Sequence, residues 1–300
     1  MIHIETSTEH KKGVYFALAA FGMWGIVPVY FKSIEHVSPL EVLAHRVVWS
    51  VVFLAGFIAL TNRMKEIYAL FNRPKIIYSL AASAAVIALN WLVFIWAVGQ
   101  DRIIESTLGY FINPLINIVF GYFIFSERLR PMQWAAVALA AIAVTYQVIL
   151  LGELPWVALT LGFSFSIYSL LRKKIPVDSI SGLFIETLWL LPISLAYMVW
   201  LLSNGNLQFI NEDDATMWLL LGAGLVTSFP LLAFASGARR LSLTLIGLLQ
   251  YIGPSIAFLI AVFYYDEPMN SERLITFILI WLALVIFSVE GLLVQKRKNG

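Results

Sequence analysis

The chain has 300 residues, of which 60% are hydrophobic and only 13% charged, with a mean hydropathy of +0.85. Soluble domains hold about 45–50% apolar and about 25% charged residues, so this balance excludes a water-soluble globular fold. A net charge of +2 defines no polyanionic partner, and the lack of cysteine excludes a disulfide framework, a thiolate metal site and a cysteine nucleophile.

Residues 1–12 are polar and are predicted to form a cytoplasmic tail. Ten apolar runs follow, at about residues 13–34, 39–60, 74–98, 103–125, 131–150, 155–171, 180–202, 215–237, 241–264 and 273–293, before a basic tail at 294–300. A membrane helix needs about 20 residues, so ten spans fill the chain and leave no room for a soluble domain. The first run is too long for a signal segment and lacks a small-residue cleavage pattern, so it is read as a retained helix. The sixth is shorter than the others, a length that tilt or local thinning accommodates. Prolines open spans at Pro39, Pro74, Pro131 and Pro155, where a missing N–H costs nothing. They also lie inside spans at Pro28, Pro114, Pro192, Pro230 and Pro254, where they predict kinks facing protein or water.

Positive charge predicts orientation, because Lys- and Arg-rich loops stay cytoplasmic. With the N-terminus inside, all but Lys32, Arg46, Arg102 and Arg273 of the 20 Lys and Arg residues fall on the cytoplasmic side. The outer turns are acidic at Asp101, Glu153, Glu212, Asp213, Asp214, Asp266 and Glu267. Both termini are therefore predicted to be cytoplasmic.

A shift of 140 residues aligns the halves of the chain. Residues 108–127, LGYFINPLINIVFGYFIFSE, then face residues 248–267, LLQYIGPSIAFLIAVFYYDE, pairing Pro114 with Pro254 and Glu127 with Glu267. The same shift pairs Gly22 with Gly162, Leu43 with Leu183, Trp49 with Trp189 and Phe94 with Phe234. The predicted units are a first five-helix repeat over 13–150 and a second over 151–293. Because five is odd, the second copy enters the membrane from the opposite face, the inverted symmetry that many alternating-access transporters use.

The paired GYFINP and QYIGP segments, each closing an apolar helix on a Glu turn, resemble the EamA branch of the drug/metabolite transporter superfamily over nearly the whole chain. The longer strings HRVVWS (45–50), NWLVFIWAVG (90–99), LGYFINPLINI (108–118) and IETLWLLP (185–192) resemble its RarD subfamily. The resemblance implies a ten-helix permease of the bacterial inner (plasma) membrane, without a defined substrate.

Ionisable groups inside a membrane are costly, so each is a functional candidate. Arg46 and Glu186 are counterparts under the shift, and inversion places them toward opposite faces. They are predicted to be gate or coupling charges rather than an ion pair; the alternative is that each anchors its own helix. His45 shares a helical stripe with Glu41 and Trp49 and is a candidate for moving a coupling proton, and Glu105 is a candidate near the outer mouth. Asn90, Tyr110, Asn113, Asn117, Gln250 and Tyr251 are candidates for the substrate pathway, since aromatic walls with a few amides suit a small organic solute. Hydrogen bonding between helices is the competing reading of the amides. Pro114 and Pro254 are the predicted hinges, Gly22 and Gly162 predict close packing of spans 1 and 6, and the Arg172, Lys173, Lys174 run is read as a topology determinant.

No phosphate-binding glycine loop and no metal-ligand spacing occurs, so no cofactor or metal is expected. The expected partners are a small-molecule substrate and the lipid bilayer, with a proton as possible coupling ion and no nucleic acid. Secondary transport by alternating access is the leading expectation. Passive uniport is the alternative, and a membrane-embedded lipid-modifying enzyme is disfavoured because it needs clustered acid and base groups at one interface.

Overall fold

The computed structural model describes residues 2–100, 103–152, 155–266 and 271–299, and every element in them is helical. The helices are α1 (Ile2–Lys32), α2 (Pro39–Leu60), α3 (Met64–Phe71), α4 (Pro74–Gly99), α5 (Ile103–Phe125), α6 (Pro131–Leu151), α7 (Trp156–Lys174), α8 (Ser179–Ser203), α9 (Gln208–Asn211), α10 (Asp214–Ala238), α11 (Leu243–Gln250), α12 (Ile252–Phe263) and α13 (Ser271–Asn299). Among the described residues, eight apolar segments are long enough to cross a membrane; they lie in α1, α2, α4, α5, α6, α8, α10 and the run Leu243–Phe263. The apolar part of α13, Leu274–Glu290, is shorter, and α7 has 19 residues and ends in the basic run Arg172 to Lys174.

Four differences separate these helices from the ten predicted runs, one of them that α13 runs on through the predicted basic tail to Asn299. The polar stretch before residue 13 is helical from Ile2, so α1 runs on beyond its apolar part. A short α3 joins α2 to α4 with Ile67 buried and Met64, Tyr68 and Phe71 exposed, as expected of a segment lying along the bilayer surface. The predicted run 241–264 is two helices, broken at Tyr251. Pro254 has no N–H to give the carbonyl of Gln250, and Tyr251 N–H turns back to Leu248 O at 3.2 Å, a tighter turn than the α-helix. Its counterpart α5 runs unbroken through Pro114.

The helix starts obey the sequence repeat. Residues 39 and 179, 74 and 214, 103 and 243, and 131 and 271 open α2 and α8, α4 and α10, α5 and α11, and α6 and α13, each pair separated by the same 140 positions. Contacts exchange in the same way: α1 packs on α10 as α7 packs on α4, α2 packs on α10 as α8 packs on α4, and α5 packs on α7 as α12 packs on α1. The pairs α2 with α8, α5 with α11 and α6 with α13 map onto themselves. This is the contact pattern of two copies related by an approximate two-fold axis.

Two cores hold the bundle. One gathers Phe21 and Trp24 of α1, Phe165 and Tyr168 of α7 and Phe234 of α10, with ring centroids 5.3 to 6.1 Å apart. The other joins Phe111, Tyr251, Phe258 and Phe277 of α5, α11/α12 and α13. Lipid tails are as apolar as these rings, so close fit and hydrogen bonding rather than water exclusion select this arrangement. The packing glycines of α1 are Gly13, where a Cβ would come within 2.8 Å of Arg240, and Gly25, where it would come within 2.6 Å of Ile256. Gly22, one turn earlier, faces open space, which corrects the expectation placed on it, while Gly162 does pack on Ile112.

Candidate functional site

Arg46 enters the bundle from α2 and meets side chains of three other helices. Its Nε donates to Thr227 Oγ1 of α10 at 2.8 Å, and its guanidinium carbon lies 4.7 Å from the Trp91 ring centroid of α4 and 5.4 Å from that of Phe31 of α1. The hydroxyls of Tyr30 on α1 and Tyr110 on α5 are within Coulombic reach of its charge. Tyr30 is tied down by donating to Leu219 O at 2.8 Å. Tyr110 packs against Phe94 and is 42% exposed, although it lies on α5, the span whose apolar window is the most buried. Arg46 too is only partly buried, so both side chains keep accessible surface.

The remaining pathway candidates are engaged from helix to helix. Asn90 of α4 donates to Leu161 O and Ser164 Oγ of α7 at 3.0 and 2.9 Å, and Asn113 of α5 donates to Gly162 O and Ser166 Oγ of α7 at 2.9 and 2.8 Å. Asn117 donates to Asn113 Oδ1 at 3.1 Å and reaches Gln250 Oε1 of α11 at 3.5 Å. Tyr251 is wholly buried and donates to Phe111 O. The close approach of α11 to α5 depends on Gly247, where a Cβ would meet Pro114 O at 2.8 Å.

Glu186 of α8, the counterpart of Arg46 under the shift, is buried. Its carboxylate accepts from Arg172 Nη1 and Tyr168 O–H, each at 3.5 Å. Arg172, only 1% exposed, also donates to Ser179 O at 3.4 Å, so it is a buried member of an ion pair and not merely a loop charge, which corrects the reading of the basic run. Gly182 on α8 is required beside it, because a Cβ there would meet the guanidinium. Sequence reasoning missed this pair because Arg172 stands in a run of three cations that alone suffices to mark a cytoplasmic loop.

The stripe of Glu41, His45 and Trp49 is a connected unit. Trp49 Nε1–H donates to His45 Nδ1 at 2.9 Å, so the neutral imidazole carries its proton on Nε2, which points toward Glu41 Oε1 3.8 Å away. Glu41 itself accepts from the N–H groups of Gln208 and Phe209, the first turn of α9. The side chain of Glu105 lies outside the described residues. On the opposite face Glu127 accepts from the N–H groups of Leu243 and Thr244 at 2.7 and 2.9 Å, fastening the end of α5 to the start of α11. Among the described residues no cluster of His, Asp and Glu is arranged to hold a metal.

A multi-spanning helical bundle built twice over, with an arginine among aromatic rings of neighbouring helices, fits the class of membrane transporters. Residues 11–148 and 155–289 match the EamA-like transporter family, and the chain belongs to that family. It is similar over 95% of its length, at 47% identity, to an uncharacterized transporter of Vibrio cholerae, covering 94% of that protein. Protein RarD of Escherichia coli is 44% identical over 97% of this chain and 98% of its own, and the chloramphenicol-sensitive protein RarD of Pseudomonas aeruginosa is 34% identical over 96% and 98%. A protein of known crystal structure shares the fold, with a TM-score of 0.64 over 91% of this chain and 96% of its own at 17% identity.

Proposed function

We propose that the chain is a secondary transporter that moves a small organic solute by alternating access between its two repeats. In this reading α1, α2, α4 to α8, α10, the α11/α12 pair and α13 all cross the bacterial inner membrane, and both termini are cytoplasmic. The repeats are residues 13–150 and 151–293, between the two tails. The observation that carries the reading is the exchange of helix contacts under the 140-residue shift, because two copies related in this way can trade conformations and open each face in turn. The break at Tyr251 and the proline at Pro114 supply unequal hinges in equivalent helices. Arg46 and Tyr110 line the solute's recess, and the amides of Asn90, Asn113, Asn117 and Gln250 border it on the α4, α5 and α11 side.

Purified chain in liposomes, loaded with a panel of unlabelled aromatic and aliphatic solutes that includes chloramphenicol, tests this by counterflow of the labelled solute. The expected result is protein-dependent exchange of at least one solute, weakened in Asn113→Ala. Exchange independent of protein across the whole panel overturns transport. Repeating the assay with and without a pH gradient decides between uniport and coupling to a proton carried by Glu186, His45 or Glu105.

A further inference from the structure

Arg46 differs from the other arginines that carry structure in this chain. Arg172 is paired with Glu186, Arg130 with Glu290, Arg240 with Glu9, and Arg63 with Glu66 and Asp178. Among the described residues no carboxylate is paired with Arg46, and its one hydrogen bond spends Nε on Thr227. The two terminal nitrogens, with their four N–H donors, have no acceptor among the described residues. A cation held within a membrane protein without its counter-charge is costly, and the cost is relieved when an anion arrives.

The ring contacts place that arrival beside apolar surface. With its carbon 4.7 Å from the Trp91 centroid and 5.4 Å from that of Phe31, the guanidinium keeps a fork of N–H donors that a carboxylate can match with two parallel hydrogen bonds. The rings of Trp91, Phe31 and Tyr110 then border the space an apolar body would occupy next to that carboxylate. A cation with aromatic neighbours and, among the described residues, no acid paired with it repels cations and gives a neutral polar group no charge-assisted bond.

Resting on the transport reading, we infer that Arg46 is the anchoring point for the carboxylate of an amphipathic organic anion, with Trp91 and Phe31 receiving its apolar part. The chain therefore carries monocarboxylates in preference to their neutral amides.

The test uses the full chain in lipid nanodiscs and matched pairs of probes: phenylacetate with phenylacetamide, indole-3-acetate with indole-3-acetamide, and octanoate with octanamide. Binding is read by calorimetry and by the shift in thermal unfolding. At least one carboxylate is expected to bind tenfold or more tightly than its amide. Arg46→Gln should abolish the preference and Arg46→Lys should keep part of it, each variant first being shown to elute and unfold as the wild type does. Equal affinity within every pair, binding of no carboxylate, or an Arg46→Gln protein that keeps the preference overturns the inference. Counterflow of a neutral solute without carboxylate binding overturns the anion site and leaves transport standing; carboxylate binding without counterflow does the reverse.

Discussion

Tyr251 donates its hydroxyl to the backbone carbonyl of Phe111 at 3.1 Å, and the two residues are counterparts under the 140-residue shift. Their rings stack with centroids 6.4 Å apart and planes at 28°. The bond is one-sided, since Phe111 has no hydroxyl to return, and it spans the contact between α5 and the break between α11 and α12. Tyr251→Phe keeps the stacked ring and removes this hydrogen bond, an expected cost of about 1 kcal/mol. Thermal unfolding in detergent measures that cost. Transport rate measures whether the break is a hinge: an unchanged rate at lowered stability would make this bond a static strut.

The buried pair of Arg172 and Glu186 predicts strong non-additivity. Glu186→Gln strands a guanidinium that is 1% exposed, at an expected cost of about 3–5 kcal/mol, whereas Arg172→Met combined with Glu186→Leu removes both charges and should recover most of it. Unfolding midpoints of the two single variants and the double variant close the cycle. Gly182→Ala should behave like a single variant, because its methyl group displaces the guanidinium.

Glu127 fastens two backbone N–H groups at the start of α11, so Glu127→Ala frees both and is expected to cost about 1–2 kcal/mol. If the contact closes one face of the pathway, the variant also opens that face. The chain has no native cysteine, so a single cysteine placed at Thr244 reports accessibility to a membrane-impermeant maleimide without background. Faster labelling in Glu127→Ala is the expected outcome, and equal labelling assigns the contact a purely structural role.

Asp178 lies outside the spans and caps α8, accepting from the N–H groups of Ile180 and Ser181 at 3.1 Å each, with Arg63 3.2 Å away. Burial pushes its carboxyl up, but the hydrogen bonds of Ser181, the charge of Arg63 and the N–H of Ile180 outweigh that and hold it below its ordinary 3.8. A depressed carboxyl stabilises the fold fully above its ordinary value and loses that contribution as pH falls through the lower, folded one. Acid titration of the unfolding midpoint should therefore show a loss beginning near 3.8 that is absent in Asp178→Ala. The same variant should lose about 1 kcal/mol of capping at neutral pH.

The amino-acid sequence by itself determined most of the helical segments and the starts of four helix pairs, because a proline or a capping side chain opens most of these helices and the 140-residue repeat doubles those starts. It also marked Arg46 and Glu186 as counterparts under the shift. Only the tertiary structure decided which face each helix turns to protein. A helix that is apolar all round can meet lipid on any side, so its pattern marks no inner face, and Gly25 rather than Gly22 proved to be a point of contact. For the same reason the partners of buried polar groups, Thr227 and Trp91 for Arg46 and Arg172 for Glu186, were not legible: they sit on helices distant in sequence, or within a basic run that already had a sufficient explanation. Which charge is paired and which, among the described residues, stands without an acid depends on how the helices are arranged around each other, and that arrangement sets Arg46 apart.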